Sequence, residues 1–329
     1  MQRRALTLAT LSIAACALST GAIAQNASKT APWPSKPLRI IVGFPGGSSP
    51  DLTARAFAEP LSKALGQPVI VENKVGAAGN IAADAVAKAT DDHTIGLMIN
   101  GNMTIAKLLN PKLSYDPLKD LQPISLLGVS PLVLTAPANA PGSNATEFLQ
   151  AARAAGDRWN YGTPGVGTVG HLGMELLKAQ AKLAPVHVPY PGYPQVATAM
   201  IAGDLQLSML PPALAATQIR AGKLKAIGVT ASVRSPLAPE IPSLAEAGVK
   251  NFNLEIWNAV AAPNSLPAAH AARLATLFSE IARSPEMRQK MFGQGWTVLG
   301  TTAEGLRLRV KSDTTLLGGI IASQGIKVE

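Results

Sequence analysis

Cysteine is nearly missing from this chain of 329 residues: Cys16 is the single one, and it lies in the first twenty. Beyond it there is no thiol for a disulfide, a zinc–thiolate site or a cysteine nucleophile. Aromatic residues make up only 4% of the chain and charged residues only 15%. Lys and Arg exceed Asp and Glu by 29 to 20, a net charge of +9, yet the cations form no run and no aromatics interleave with them. That argues against nucleic acid as a partner and leaves a mild preference for anions. The four histidines, His93, His171, His187 and His270, stand at no metal-ligating spacing, so no metal is expected. No G-x-S-x-G elbow and no Walker A loop is present, so neither a hydrolase nor a nucleotide hydrolase is indicated. Past the N-terminal segment no apolar run is long enough to span a bilayer.

What the chain has in quantity is small and apolar residues, with 47% hydrophobic content, enough for a sizeable core and about two domains. Its beginning reads as a secretory leader: Arg3-Arg4, an apolar Ala5–Ala17, then Ala22-Ile23-Ala24 before Gln25. Residues 1–24 are expected to be a signal peptide, with the mature chain starting at Gln25 in a periplasm, at +9 less two arginines, or +7. Ile13-Ala14-Ala15-Cys16 offers a competing reading as a lipobox, with a lipid anchor on Cys16.

The remainder alternates strands and helices, which predicts parallel sheets with ligands at the strands' carboxyl ends. The first unit is the most informative. Leu38–Val42 is a strand, Phe44-Pro45-Gly46-Gly47-Ser48-Ser49 a loop, and LTARAFAEPLSKAL an amphipathic helix with Leu52, Ala56, Leu61 and Leu65 on its apolar stripe, capped by Asp51 or Ser49. Backbone N–H groups and a helix dipole then converge on one point, where an anion binds; an ordinary turn reads the same way. Gly165-Val166-Gly167-Thr168-Val169-Gly170 matches G-x-G-x-x-G, but the next strand, ending at Val188-Pro189-Tyr190, brings no acid for a ribose, so a small anion suits this loop better than a dinucleotide. His171 either donates to that anion or caps and packs. Phe44, Tyr190, Tyr193 and Trp257 are placed near the cleft, and Asn100 closes the third strand at its ligand edge.

Several segments together resemble one family: WPSKPLRIIVGFPGG, LGQPVIVENKVGAAGNIAADAVAKA, NPKLSYDPLKDLQPISLLG, GHLGMELLK, VHVPYPG, AGKLKAIGVT and RSPLAPEIPSLAEAG. In this order they resemble the Bug-type periplasmic receptors of tripartite tricarboxylate transporters. The resemblance implies an α/β type II periplasmic binding fold of two lobes, residues 33–130 with 251–329 and residues 131–250, closing over an organic carboxylate, mono- or dicarboxylate. It implies ligand contacts from Phe44, Gly46, Gly47, Ser48, Ser49 and Asn100 in one lobe, and from Thr163, Gly165, Gly167, Thr168, His171 and Tyr190 in the other. Gly167 would sit at a solvent-lined loop tip. No catalytic residue and no cofactor follow; the partners would be the small anion and membrane transporter subunits, with the receptor itself a monomer. A sensory partner of a signalling receptor is the alternative, and an enzyme in the same cleft a weaker one. Three departures from the family pattern stand out: the early glycines and Pro50 in the first loop, Gln206 where an acid is usual, and Asp91-Asp92-His93-Thr94 in a turn.

Overall fold

The computed structural model describes residues 33–235 and 238–327. The expected signal peptide and the lipobox at Cys16 lie outside the described residues. In chain order the strands are β1 (Leu38–Val42), β2 (Val69–Asn73), β3 (Thr94–Ile99), β4 (Leu121–Pro131), β5 (Val133–Pro137), β6 (Asn160–Thr163), β7 (Val186–Pro189), β8 (Ser208–Leu210), β9 (Leu224–Val229), β10 (Glu255–Pro263) and β11 (Thr297–Val298).

The strands divide between two lobes. The first lobe's sheet has the order β11-β4-β10-β3-β1-β2. β1 runs parallel to β2 and β3, and Leu38, Ile40, Ile41 and Val42 are buried on both faces, as a helix-covered parallel strand requires. The second lobe pairs β8-β5-β9 and β6-β7, and a bridge from Tyr161 to Leu207 joins the two sets. Alternation predicted parallel pairing throughout, and here the fold differs. β10 is antiparallel to β3 and β4, and β5 is antiparallel to β8 and β9. The chain leaves the first lobe on β4 and returns on β10, so the two crossing strands lie side by side in opposite directions.

Helix Ser49–Leu65 buries Ala54, Phe57, Leu61 and Leu65. Their spacing of three and four makes the stripe, while Leu52 falls off it and stays 40% exposed. The last helix, Ala303–Gln324, serves both lobes. Leu306 and Val310 join a core cluster of the first lobe, and Leu317 and Ile320 join that of the second.

Where the chain crosses, Thr230 ties the two connections together. Its Oγ1 accepts from Leu132 N (2.8 Å) and donates to Leu254 O (2.7 Å). Its own backbone N–H donates to Leu132 O and its carbonyl accepts from Leu254 N. Thr230 is fully buried. Thr230→Val keeps the shape but leaves a buried N–H and a buried carbonyl short of a partner, so a loss of about 1–3 kcal/mol is expected in urea denaturation. A change below about 0.5 kcal/mol would show that the crossing does not depend on this hydroxyl.

Candidate ligand-binding cleft

The first loop is built by packing and by one carboxylate. Gly43 leaves no room for a side chain, because a Cβ there would lie 2.5 Å from Gly79 Cα. Gly47 takes φ +80° and turns the chain into Ser48, the N-cap residue of helix Ser49–Leu65. The expected cap was Asp51 or Ser49, and the structure divides the work differently. Asp51 lies in the first turn and reaches back to accept the Gly47 N–H (2.9 Å), with Asn73 Nδ2 (2.9 Å) and Arg55 Nε (3.0 Å) on the same carboxylate. Burial pushes the Asp51 carboxyl up, but the hydrogen bonds from Arg55, Asn73 and Gly47 outweigh it and hold the group below its ordinary range. The loop is therefore fastened without its serines. The hydroxyls of Ser48 and Ser49 are buried and have no hydrogen-bond partner among the described residues. Pro50 falls in the helix's first turn, where its missing N–H breaks no helical bond.

A third hydroxyl in the same condition comes from the other lobe. Tyr193 opens helix Tyr193–Ala202, and its buried Oη also has no partner among the described residues. Gly170, near the start of helix Val169–Ala181, makes room for it: a Cβ on Gly170 would stand 2.1 Å from that oxygen. Burial pushes the phenol's pKa up, so the group stays protonated and able to donate. Ser48, Ser49 and Tyr193 line one small inner cavity of about 40 Å³ between the lobes, with Phe44, Pro50, Asn100, Pro164, Thr168 and Trp257 among its walls. The same three residues also wall a shallower recess on the Leu52 and Trp296 side.

The cavity floor is rigid. Asn100 is buried, and all of its side chain is engaged: Oδ1 accepts from Trp257 N (2.8 Å), and Nδ2 donates to Glu255 O and Asp313 Oδ2 (both 3.2 Å). Asp313 also accepts from Trp257 Nε1 (2.7 Å) and Arg309 Nε (2.8 Å). Asn100 thus shapes the floor more than it offers a free group.

The second loop is tied to itself. Thr168 caps its helix, donating to Gly165 O (2.8 Å) and accepting from His171 N (3.4 Å). Thr163 is buried, its hydroxyl 2.6 Å from His187 Nε2. His171 lies behind the loop and lines neither interlobe cavity. Its Nδ1 accepts weakly from Gly167 N (3.5 Å), and its ring packs 4.5 Å from that of His187. Burial lowers both imidazoles to about 4, so they are neutral near pH 7. Of the two roles open to His171, the geometry matches capping and packing.

A larger outer cavity of about 470 Å³ is lined by Gly165, Gly167 and Tyr190 from the second lobe and by the Gly76–Asn80 turn and Leu109 from the first; Pro164 borders both cavities. Gly167 is buried, contrary to the expected solvent-lined tip, and a Cβ there would meet Leu109 Cδ1 at 2.5 Å. Gly46 and Gly47 face outward, and the Gly47 N–H is already used by Asp51. The unusual Gln206 holds a turn, bonding Asn160 N and Gly203 O, and lines neither cavity. The Asp91–Thr94 turn packs against Trp33 and also lies off the cleft. The sequence reading assigned no ligand role to Gly76–Asn80 or Asn258, and ranked Tyr193 only as a nearby aromatic. The Gly-rich turn between β2 and the helix Asn80–Ala87 repeats the grammar of the first loop and carried the signal; nothing in the sequence marks Asn258.

The arrangement is that of a receptor cleft: two lobes, two helix N-termini and a closed polar pocket between them. A family model described as the tripartite tricarboxylate transporter family receptor matches residues 53–326. A UPF0065 protein of Bordetella pertussis is 33% identical over 306 residues, 93% of this chain and 94% of its own. Among solved structures, MatC of Rhodopseudomonas palustris with bound malate is 29% identical, covering 88% of this chain and 99% of its own at a TM-score of 0.83. An R. palustris protein with adipate is 26% identical, covering 90% of this chain and 99% of its own at a TM-score of 0.87. The fold is that of the two-lobed periplasmic binding proteins, and the family is one of solute-binding receptors and not of enzymes. By the family model and by these relatives, the chain belongs to the tripartite tricarboxylate transporter receptor family.

Proposed function

We propose that this protein works in the periplasm, captures a small organic carboxylate between its lobes and hands it to membrane transporter subunits, without catalysis. One observation carries the reading: three buried hydroxyls, Ser48, Ser49 and Tyr193, lack partners among the described residues and line a single interlobe cavity beside two helix N-termini. Buried polar groups are almost always satisfied, so three orphans lining one cavity mark a place where a ligand completes the bonding. A carboxylate fits because it accepts from hydroxyls and from N-terminal amides alike, where a dipole also favours negative charge. The malate and adipate held by the two solved relatives support the same ligand chemistry. Among the described residues no helix is long and apolar enough to cross a membrane, so delivery falls to separate transporter subunits.

A thermal-shift screen of carboxylic acids against their amides tests the reading, since a ligand that binds only the folded state raises its melting temperature. Acids are expected to stabilise and amides are not. For the best acid, Tyr193→Phe should weaken binding about 10- to 100-fold, the loss of one hydrogen bond to a charged group. Equal shifts from acids and amides, or an unchanged affinity in Tyr193→Phe, would count against it.

A further inference from the structure

Among the described residues, neither interlobe cavity has a charged side chain in its lining. The chain carries 29 Lys and Arg residues, yet those nearest the cleft are spent elsewhere. Arg55 is held by Asp51 and reaches Asn73. Arg309 pairs with Asp313 and Glu255 beneath the floor. His171 and His187 are neutral and lie behind the second loop.

The outer cavity's polar side chains are mostly used within the protein. Asn102 Nδ2 donates to Ala78 O and Asn80 Oδ1, Tyr115 Oη donates to Asn80 Oδ1, and Asn110 Oδ1 accepts from Lys112 N. Its other walls are apolar: Ala77, Ala78, Leu109, Val166, Tyr190 and Pro191. Ala77 and Ala78 take φ +46° and +55°, where an alanine is strained and a glycine is not. That strain is tolerated with two methyl-bearing residues along the cavity wall, close to Gly165. The volumes fit the same division. About 40 Å³ beside the three hydroxyls suits one carboxylate, and about 470 Å³ beyond Pro164 suits a bulky body.

Resting on the receptor reading above, we infer that the substrate class is a monocarboxylate whose body is uncharged and largely apolar, an aliphatic or aromatic chain. Its head is held in the inner cavity and its body in the outer one. A second carboxylate would have to shed its water against apolar walls that offer it no cation, a desolvation the site does not repay.

The test is calorimetric titration with two matched series. Butanoate, hexanoate, octanoate and phenylacetate form one; succinate, adipate and suberate form the other. The best monocarboxylate is expected to bind at least about tenfold tighter than the dicarboxylate of equal length, the expected cost of an unpaired charge against an apolar wall. Val166→Arg, which puts a cation at the outer wall, should narrow or reverse that ratio. A parent protein that binds a dicarboxylate as tightly as its monocarboxylate partner, or a Val166→Arg variant with an unchanged ratio, overturns the inference and leaves the receptor reading intact. Failure of every acid in both series overturns the two together.

Discussion

Acidification from pH 7 to pH 4 should cost this protein about 3 kcal/mol or more of stability, most of it in the second lobe. His171 is buried, and its imidazole is held at about 4 in place of 6.5, with desolvation as the cause; Glu175 opposes that shift and Lys178 adds to it. His187, stacked on Tyr161 and packed on His171, is lowered to about 4 in the same way. The folded state therefore refuses a proton that the unfolded chain accepts below its ordinary value of 6.5. Stability is complete above that value and falls as the pH drops from 6.5 toward 4. One histidine over that range is worth about 3 kcal/mol at about 1.36 kcal/mol per pH unit. The carboxylates act in the same direction at lower pH. Asp51 and Glu175, both held below their ordinary range in the fold, lose their stabilising bonds once protonated. Urea denaturation at several pH values measures the slope. His171→Asn, which cannot titrate, should flatten part of it. A stability constant between about pH 6.5 and 4.5 would show that these rings are solvated and the second loop is looser than described.

Asp313→Ala should be the most damaging single substitution near the cleft. It removes the acceptor for Trp257 Nε1 and Asn100 Nδ2 and frees Arg309, which is only partly exposed. Two buried donors are then left unpaired, at about 1–3 kcal/mol each, and one partly buried charge loses its partner. A loss of about 3–4 kcal/mol is expected by the same reckoning. Because Asn100 and Trp257 form the cavity floor, ligand affinity should fall as well. Asp313→Asn keeps an acceptor oxygen and should lose less of both. Equal losses in the two variants would show that the negative charge, and not the oxygen, is what the network needs.

Much of the fold was legible because it is written in short-range terms. The run Leu38–Val42 and the Gly/Ser break after it declared a strand and a turn, and each later strand carried its own apolar run and breaker. The antiparallel crossing of β4 and β10 was not legible, because a strand's own residues do not say which neighbour it will pair with. The site was legible as two loops but not as individual contacts. Ser48 and Ser49 could be named from the helix start, yet their availability depends on Asp51 fastening Gly47 in their place. Gly46 and Gly47 carry the expected sequence signature but face outward, since the positive φ at Gly47 serves the turn. Tyr193 reaches the cavity only because Gly170, in a different helix, makes way for it, a pairing no local pattern encodes. Asp313 and Thr230 matter through partners far away in sequence, such as Asn100, Trp257 and Leu132.

If the hydroxyls of the first loop receive a carboxylate, a single titration shows it directly. The best carboxylate is titrated calorimetrically into the parent and into the Ser48→Ala/Ser49→Ala double variant, with the melting temperature of each ligand-free protein recorded alongside. The two hydroxyls have no partner among the described residues, so removing them relieves unsatisfied buried groups and should leave the free protein as stable as before or more so. The affinity should nevertheless fall about 100-fold or more, the loss of two bonds to a charged group. A double variant that binds the acid as tightly as the parent, with its fold intact, would contradict the account.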